Sequence, residues 1–263
     1  MAAQKKYVLV TGGGTFLGDN IAAALLAEGA EVTLLVRPDA EDKLDGLRQR
    51  LRLRTADVWN PASLKGRARG HSLVIHTVGS MVADPAQGLN YNWLNFVSAR
   101  NVANMCVSDG VPHMVLMSSV RAPWVNGQYI RSKREAERYI GRVGLRSTII
   151  RAPIAYMPGR SRSFFYRLVG IMGRIPPLSW LFLGRMAPLP VDVLARGVAR
   201  IALDPDQHRQ IYYAGNLRKR GKAPSAYDLS FNAPTPPANR PVRPFDLLDE
   251  DTPFGWTPPH DEK

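Results

Sequence analysis

The stretch Thr11-Gly12-Gly13-Gly14-Thr15-Phe16-Leu17-Gly18 constrains this chain more than any other. It follows a short apolar run, Tyr7-Val8-Leu9-Val10, and opens an Ala-rich helical pattern from Ile21 to Glu28, closed by Gly29. Strand, glycine turn and helix in that order form a cradle for the phosphates of a nucleotide. Glycines let the turn reach positive φ and let backbone N–H groups come close to phosphate oxygens. The helix start behind them adds free N–H donors and partial positive charge.

The pattern then repeats. Glu31–Val36 reads as a strand rich in β-branched residues, stopped at Arg37-Pro38, and Leu44–Arg50 as a short polar helix. Leu51–Arg54 alternates apolar and charged residues, as an outer strand would, whereas Leu73-Val74-Ile75 is continuously apolar, as in the middle of a parallel sheet. Asn92–Asp109 has helical periodicity, His113–Met117 is a strand, Gln128–Gly141 is a charged helix and Ser147–Ile150 is a sixth strand. Val191–Leu203 adds an amphipathic helix and Ile211-Tyr212-Tyr213 a late strand. Strands alternating with helices predict an α/β fold, a doubly wound parallel sheet.

Two stretches break the alternation. Phe164 to Val193 holds an apolar block interrupted by Arg167, Arg174 and Pro176-Pro177. It reads as a substrate-pocket lid, a docking surface, an interfacial segment with Arg headgroup contacts, or a helical cap on the sheet. From Leu217 the chain carries nine of its 21 prolines and little regular pattern. The expected organisation is a nucleotide-binding domain over 1–216 with a small cap at about 160–195, then an extended Pro-rich tail over 217–263.

The formal charge is +13, and the segment from Leu217 is neutral, so the excess sits on the body. That points to an acidic protein surface or anionic lipid as partner, or serves solubility alone. Nucleic acid is disfavoured, because no RNA-binding signature or aromatic ladder is present. Cys106 is the single cysteine, which excludes a disulfide framework and fits a reducing compartment or the mitochondrial matrix. The five His are scattered without metal-ligand spacing, so no metal is expected. No stretch is long and apolar enough to span a bilayer. The N-terminus enters the first strand almost at once, which implies a cytosolic protein or a targeting segment outside this sequence.

Three further places carry chemistry. At the end of the second strand, an NAD-binding chain usually has Asp or Glu for the ribose 2′-OH. Here Arg37 stands there, suited to a 2′-phosphate, which favours NADP(H). After the third strand, Asp57 either accepts from the adenine amino group or caps a turn before Asn60-Pro61. Tyr129 and Lys133 lie four apart on a helix and so share a face, with Ser118-Ser119 upstream at a strand end. A Lys beside a phenol lowers its pKa, and a Ser hydroxyl orients a carbonyl while Tyr acts as acid or base.

Over roughly residues 6–215 the chain resembles the short-chain dehydrogenase/reductase superfamily in its extended or atypical branch. The resemblance rests on Thr11-Gly12 and Gly18 of a TGxxGxxG loop, Asp57, the paired Asn95 and Asn101 before Gly110-Val111, Ser118-Ser119, Tyr129 with Lys133, and Arg151-Ala152-Pro153 with Tyr156. It implies a Rossmann-type domain holding NADP(H) through Gly12, Gly14, Thr15, Phe16, Leu17, Gly18, Arg37, Asp57, Val58, Thr77, Val78 and Lys133, with Tyr129, Lys133 and Ser119 as catalytic candidates. Tyr-Ile-Arg-Ser-Lys-Arg-Glu-Ala-Glu over 129–137 is similar to two mitochondrial groups. These are the NADPH-holding accessory subunit of respiratory complex I and the reductase-like proteins of coenzyme Q biosynthesis. That resemblance implies a non-catalytic subunit of a membrane assembly on the matrix side of the inner membrane, with neighbouring subunits as partners. The alternatives are an NADP-dependent reductase of a hydrophobic carbonyl, and an assembly factor or RNA-associated protein. Two departures bear on turnover. Thr15 replaces the loop's middle glycine and is expected to set a Cβ where the pyrophosphate comes closest. Ser119 precedes Tyr129 by only ten residues, which sets Val120 at the place of the usual Ser.

Overall fold

The computed structural model describes residues 6–38, 51–157, 186–205 and 210–222. Its frame is a seven-stranded parallel sheet built from β1 (Tyr7–Gly13), β2 (Glu31–Val36), β3 (Arg52–Thr55), β4 (Leu73–His76), β5 (His113–Ser119), β6 (Arg146–Ala152) and a late strand. A separate two-stranded pair joins β7 (Ala155–Tyr156) to β8 (Leu189–Pro190). The late strand, β9 (Ile211–Tyr213), pairs with β6. Spatial order is β3-β2-β1-β4-β5-β6-β9, so the chain reverses direction of travel between β1 and β4. A crevice opens at such a point beyond the carboxyl ends of the strands. This is the Rossmann-type doubly wound sheet that the sequence pattern predicts.

Helices cover both faces because the strands are apolar on both. Val8 and Val10 of β1 point with Leu73 and Ile75 of β4 into one core. That core is closed by α1 (Phe16–Ala27) and a helix late in the chain. Leu9, Val74, Met114 and Leu116 point the other way, under α3 (Ser98–Ser108) and α4 (Gly127–Arg142). The four-residue helix Pro61–Leu64 is α2. The periodicity over Asn92–Asp109 resolves into a π-helical stretch, Asn92–Val97, running into α3. Wide turns of this kind recur at functional sites, and this one carries Asn95.

Ile211–Tyr213 is followed at once by α6 (Ala214–Lys222), which packs on α5 (Val191–Leu203). Residues 217–222, expected in the extended tail, are thus part of a packed helix. Leu217 is fully buried, and a Cβ on Gly197 or Gly221 would meet the backbone of Leu217 or Val193 respectively. A polar-looking stretch thus docks through one leucine and two close backbone approaches. The helix over Leu44–Arg50, the apolar block through Phe182 and the Pro-rich tail from 223 lie outside the described residues. Among the described residues no helix is long and apolar enough to cross a membrane.

Candidate functional site

The glycine loop sits at the crevice. Gly12 has φ +86°, and a Cβ there would strike Thr77 Oγ1 from the neighbouring strand end. At Gly18 a Cβ would strike the Gly12 carbonyl, so helix α1 can approach β1 this closely only with glycine at that position. The loop is also tied across the switch point. Thr77 Oγ1 donates to Thr11 O, and Thr11 Oγ1 lies 2.9 Å from His76 Nδ1.

Thr15 does not stand where the sequence expectation put it. Its hydroxyl turns inward, donating to Gly12 O at 2.6 Å and accepting from Gly18 N at 3.2 Å, and the residue is only 3% exposed. It is the N-cap of α1, a position at which Thr is accepted as readily as Gly and its side-chain oxygen takes up a free helix N–H. Its Cβ is therefore part of the loop's own closure instead of an obstacle over the cradle. Gly14 N donates to Asp19 Oδ1 at 2.9 Å. The first N–H groups of α1, those of Phe16 and Leu17, are orphan donors by their position at a helix start. A cradle that side chains would fill, with helix donors behind it, fits the pyrophosphate of a dinucleotide.

Around the cradle, Val36 pairs in register with Gly13, which sets the half-buried Arg37 just beyond the loop. Asp57 Oδ1 accepts from Trp59 N at 2.9 Å, and Ser63 Oγ donates to Asp57 O at 2.8 Å. The turn-capping reading of Asp57 is realised, and its second carboxylate oxygen leaves the adenine reading compatible. Val58 is wholly in the core, with its carbonyl and that of Trp59 held by Asn101 Nδ2. Asn95 does the same for the loop after β4, accepting from Ser80 N at 3.1 Å and donating to Ser80 O at 2.9 Å. The two asparagines, six apart, thus brace two loops that border the crevice. Thr77 and Val78 are both buried at the end of β4.

Ser119, Tyr129 and Lys133 come together. Helix α4 starts at Asn126, whose side chain accepts from Gln128 N, and its buried face carries Tyr129 and Lys133 one turn apart. Ser119 ends β5, and its hydroxyl donates to Val120 O at 3.2 Å. The link from β5 to α4 runs over residues 120–126 and holds one turn, in which Val125 N donates to Ala122 O. Val120 donates its backbone N–H to Ala152 O and contributes no hydroxyl. Lys133 Nζ lies 5.9 Å from the centre of the Tyr129 ring and near the carbonyls of Met117, 3.3 Å, and Val78, 3.5 Å. Gly79 makes room for it, since a Cβ there would come to 2.5 Å from both Lys133 Nζ and Asn95 Oδ1.

Burial sets the proton affinities. It raises the Tyr129 phenol above its ordinary range, partly offset by the polar Ser119 side chain and the charge of Arg134. It lowers the Lys133 ammonium to about 8, opposed by Glu137. It lowers His76 to about 3, helped by the Lys133 charge, so His76 is a neutral imidazole. Its Nε2 has no hydrogen-bond partner among the described residues.

Sequence reasoning missed the layer behind these side chains. Glu137 accepts from Ser118 Oγ at 2.6 Å, from Arg134 and, bidentately, from Arg151 at 2.6 and 3.2 Å. Arg134 Nη2 donates to Ser119 O at 2.8 Å, and Arg151 Nη1 to Tyr213 Oη at 3.0 Å. The i, i+3 spacing of Arg134 and Glu137 on a predicted helix was the available signal.

Comparison with known proteins gives the wider setting. Residues 12–163 match the family described as NAD(P)H-binding. The ceramide reductase of Caulobacter vibrioides is 29% identical over 175 residues, covering 65% of this chain and 54% of that protein. Cinnamoyl-CoA reductase 1 of Oryza sativa subsp. japonica is 33% identical over 129 residues, 47% of this chain and 37% of that protein. The chain thus spans about half or less of the length of these relatives. A short-chain dehydrogenase/reductase of Burkholderia multivorans, solved with bound NADP, shares the fold at TM-score 0.54 and 18% identity, covering 79% of this chain and 94% of that one. The Bordetella bronchiseptica enzyme WbmH, solved with NAD+, does so at TM-score 0.55 and 21% identity, covering 77% and 73%. With its glycine cradle at the switch point of a seven-stranded parallel sheet, the chain belongs to the NAD(P)H-binding family of Rossmann-type, short-chain dehydrogenase/reductase-like proteins.

Proposed function

We propose that this protein is an NADP(H)-dependent reductase of a hydrophobic carbonyl compound. The observation that carries the reading is the Tyr129–Lys133 pair on the buried face of α4, with Lys133 Nζ turned to the strand β5 that ends in Ser119. The chemistry that NADPH would supply when bound is a hydride to the carbonyl carbon. The Ser119 and Tyr129 hydroxyls hold the carbonyl oxygen, and Tyr129 gives it the proton that completes the alcohol. Lys133, set between the phenol ring and the strand ends, would support the charge left on Tyr129 and hold the nicotinamide ribose. Arg37, beside the loop, selects the 2′-phosphate. The named substrates of the two reductases, ceramide and cinnamoyl-CoA, support a carbonyl on an apolar body. The test is NADPH oxidation with a panel of long-chain and aromatic aldehydes and ketones. Replacing Tyr129 with Phe is expected to lower kcat by about a hundredfold or more, with NADPH affinity unchanged. A wild-type protein that binds NADPH and is inert across the panel contradicts the reading.

One observation favours a second reading. Tyr129 is only 1% exposed, so the phenol is sealed from solvent. With the +13 charge, that supports a protein that holds NADP(H) as a stabilising ligand inside a larger membrane assembly. The resemblance of residues 129–137 points to the matrix side of the mitochondrial inner membrane and to respiratory complex I. Migration with a large membrane complex on a native gel, unchanged by Tyr129→Phe, is the expected result under this reading. A lone soluble species refutes it.

A further inference from the structure

We propose that Asp19 is a built-in competitor for the glycine cradle: its carboxylate occupies a backbone N–H of the loop and sets a negative charge where phosphate is to be held, which keeps NADP(H) exchangeable. The inference rests on the nucleotide-holding part of the reading above and not on carbonyl reduction. It starts from one hydrogen bond. Gly14 N donates to Asp19 Oδ1 at 2.9 Å. Gly14, with φ +79°, is the loop residue just before the N-cap Thr15. Asp19 lies in the first turn of α1 and is only 6% exposed. Its side chain therefore folds back from the helix into the loop. Between Lys6 and Glu28 no other side chain is charged.

A carboxylate in the first turn of a helix ordinarily strengthens it, by answering the free N–H groups and the partial positive charge there. Here the cap is already made. Thr15 Oγ1 accepts from Gly18 N, and Asp19 Oδ1 reaches past that cap to the residue before it. The same free donors and partial charge are what draw a pyrophosphate to this end of α1. One anion of the chain and one of the ligand thus answer to the same end of the helix. In the empty chain Asp19 satisfies Gly14 N–H. Against an incoming phosphate it sets a like charge in a largely buried place, which lowers affinity. Exchange suits a reductase, which must release the oxidised nucleotide after each turnover. A cradle that carries its own anion lets go sooner than one without it.

Competition and a merely structural role predict different signs. Asp19→Asn keeps an oxygen for Gly14 N and removes the charge. Asp19→Ala removes both and leaves Gly14 N–H to the ligand. If Asp19 only shapes the loop, Asn is neutral and Ala weakens binding; if it competes, both tighten it. The experiment titrates the full chain, freed of carried nucleotide, with NADPH by calorimetry and follows release by the fluorescence of NADPH in stopped flow. Asp19→Asn is expected to bind NADPH about five- to tenfold more tightly than wild type, most of the gain appearing as slower release. Asp19→Ala is expected to bind more tightly than wild type as well, and Asp19→Asn serves alone if the Ala variant does not fold. An Asp19→Asn affinity within about twofold of wild type or weaker, or an Asp19→Ala protein no tighter than wild type, overturns the proposal. Inorganic pyrophosphate is titrated in parallel. Proteins that ignore NADPH while both variants gain affinity for pyrophosphate keep this inference and refute the NADP(H) reading. NADPH bound alike by all three proteins does the reverse, and a chain that binds neither probe refutes both.

Discussion

Thr15 tests the logic of the loop most sharply. In the resemblance its place belongs to glycine, yet here its hydroxyl bridges Gly12 O and Gly18 N inside the turn. Thr15→Val keeps the shape and removes both bonds. Gly18 N–H and Gly12 C=O are then buried without that partner, at about 1–3 kcal/mol for each group left unsatisfied. The new methyl recovers part of this, roughly 0.8 kcal/mol for one buried carbon. The net loss is about 1–5 kcal/mol. For a chain of this size that lowers Tm by roughly 2–20 °C. Thr15→Ser keeps the hydroxyl and is expected to lose about 1 kcal/mol or less, from the missing methyl. The assay is thermal unfolding with and without saturating NADPH. Because the bonds shape the cradle, Thr15→Val is also expected to reduce the stabilisation NADPH gives. A Thr15→Val protein within about 0.5 kcal/mol of wild type refutes the inward-cap account.

Other positions give independent checks. Arg37→Asp is expected to weaken NADPH about ten- to a hundredfold, the loss of one or two charge-assisted hydrogen bonds, and NADH far less; equal loss of both in a binding titration refutes the 2′-phosphate role. Gly18→Ala drives a Cβ into the Gly12 carbonyl and is expected to cost about 1–3 kcal/mol in denaturant unfolding, with loss of nucleotide binding. Lys133 links stability to pH. Its folded pKa, about 8, lies below its ordinary 10.5, so between those values the unfolded chain binds the more protons and stability rises with pH. Lys133→Met is expected to flatten that segment of the stability–pH curve, and an unchanged slope contradicts it. His76 works in the opposite part of the range. Neutral and buried, with a pKa near 3 against 6.5, it is expected to make stability fall as pH drops through 6.5, and His76→Asn to remove that component.

The sheet was legible because its signal is local. Tyr7–Val10, Glu31–Val36 and Leu73–Ile75 are apolar on both faces, and the first two run into Gly12 and Pro38. The cradle was legible for the same reason. Thr15 was misread because a glycine consensus records what a backbone allows, whereas its side chain answers to Gly12 and Gly18 inside a closed turn. Helix α6 was not legible because it is polar along most of its length, and one leucine with two glycines on the α5–α6 seam decides its packing. The Glu137 cluster draws on α4, β5, β6 and β9, so no window of sequence shows it.

The central claim is that the cradle at the β1–β4 switch point holds NADP(H). Titration of the purified full chain with NADPH and with NADH by calorimetry tests it most directly, after any nucleotide carried through purification has been released and identified by mass. The account predicts one site per chain, filled by NADPH at least about tenfold more tightly than by NADH. No binding of either nucleotide, or a preference for NADH, would contradict it.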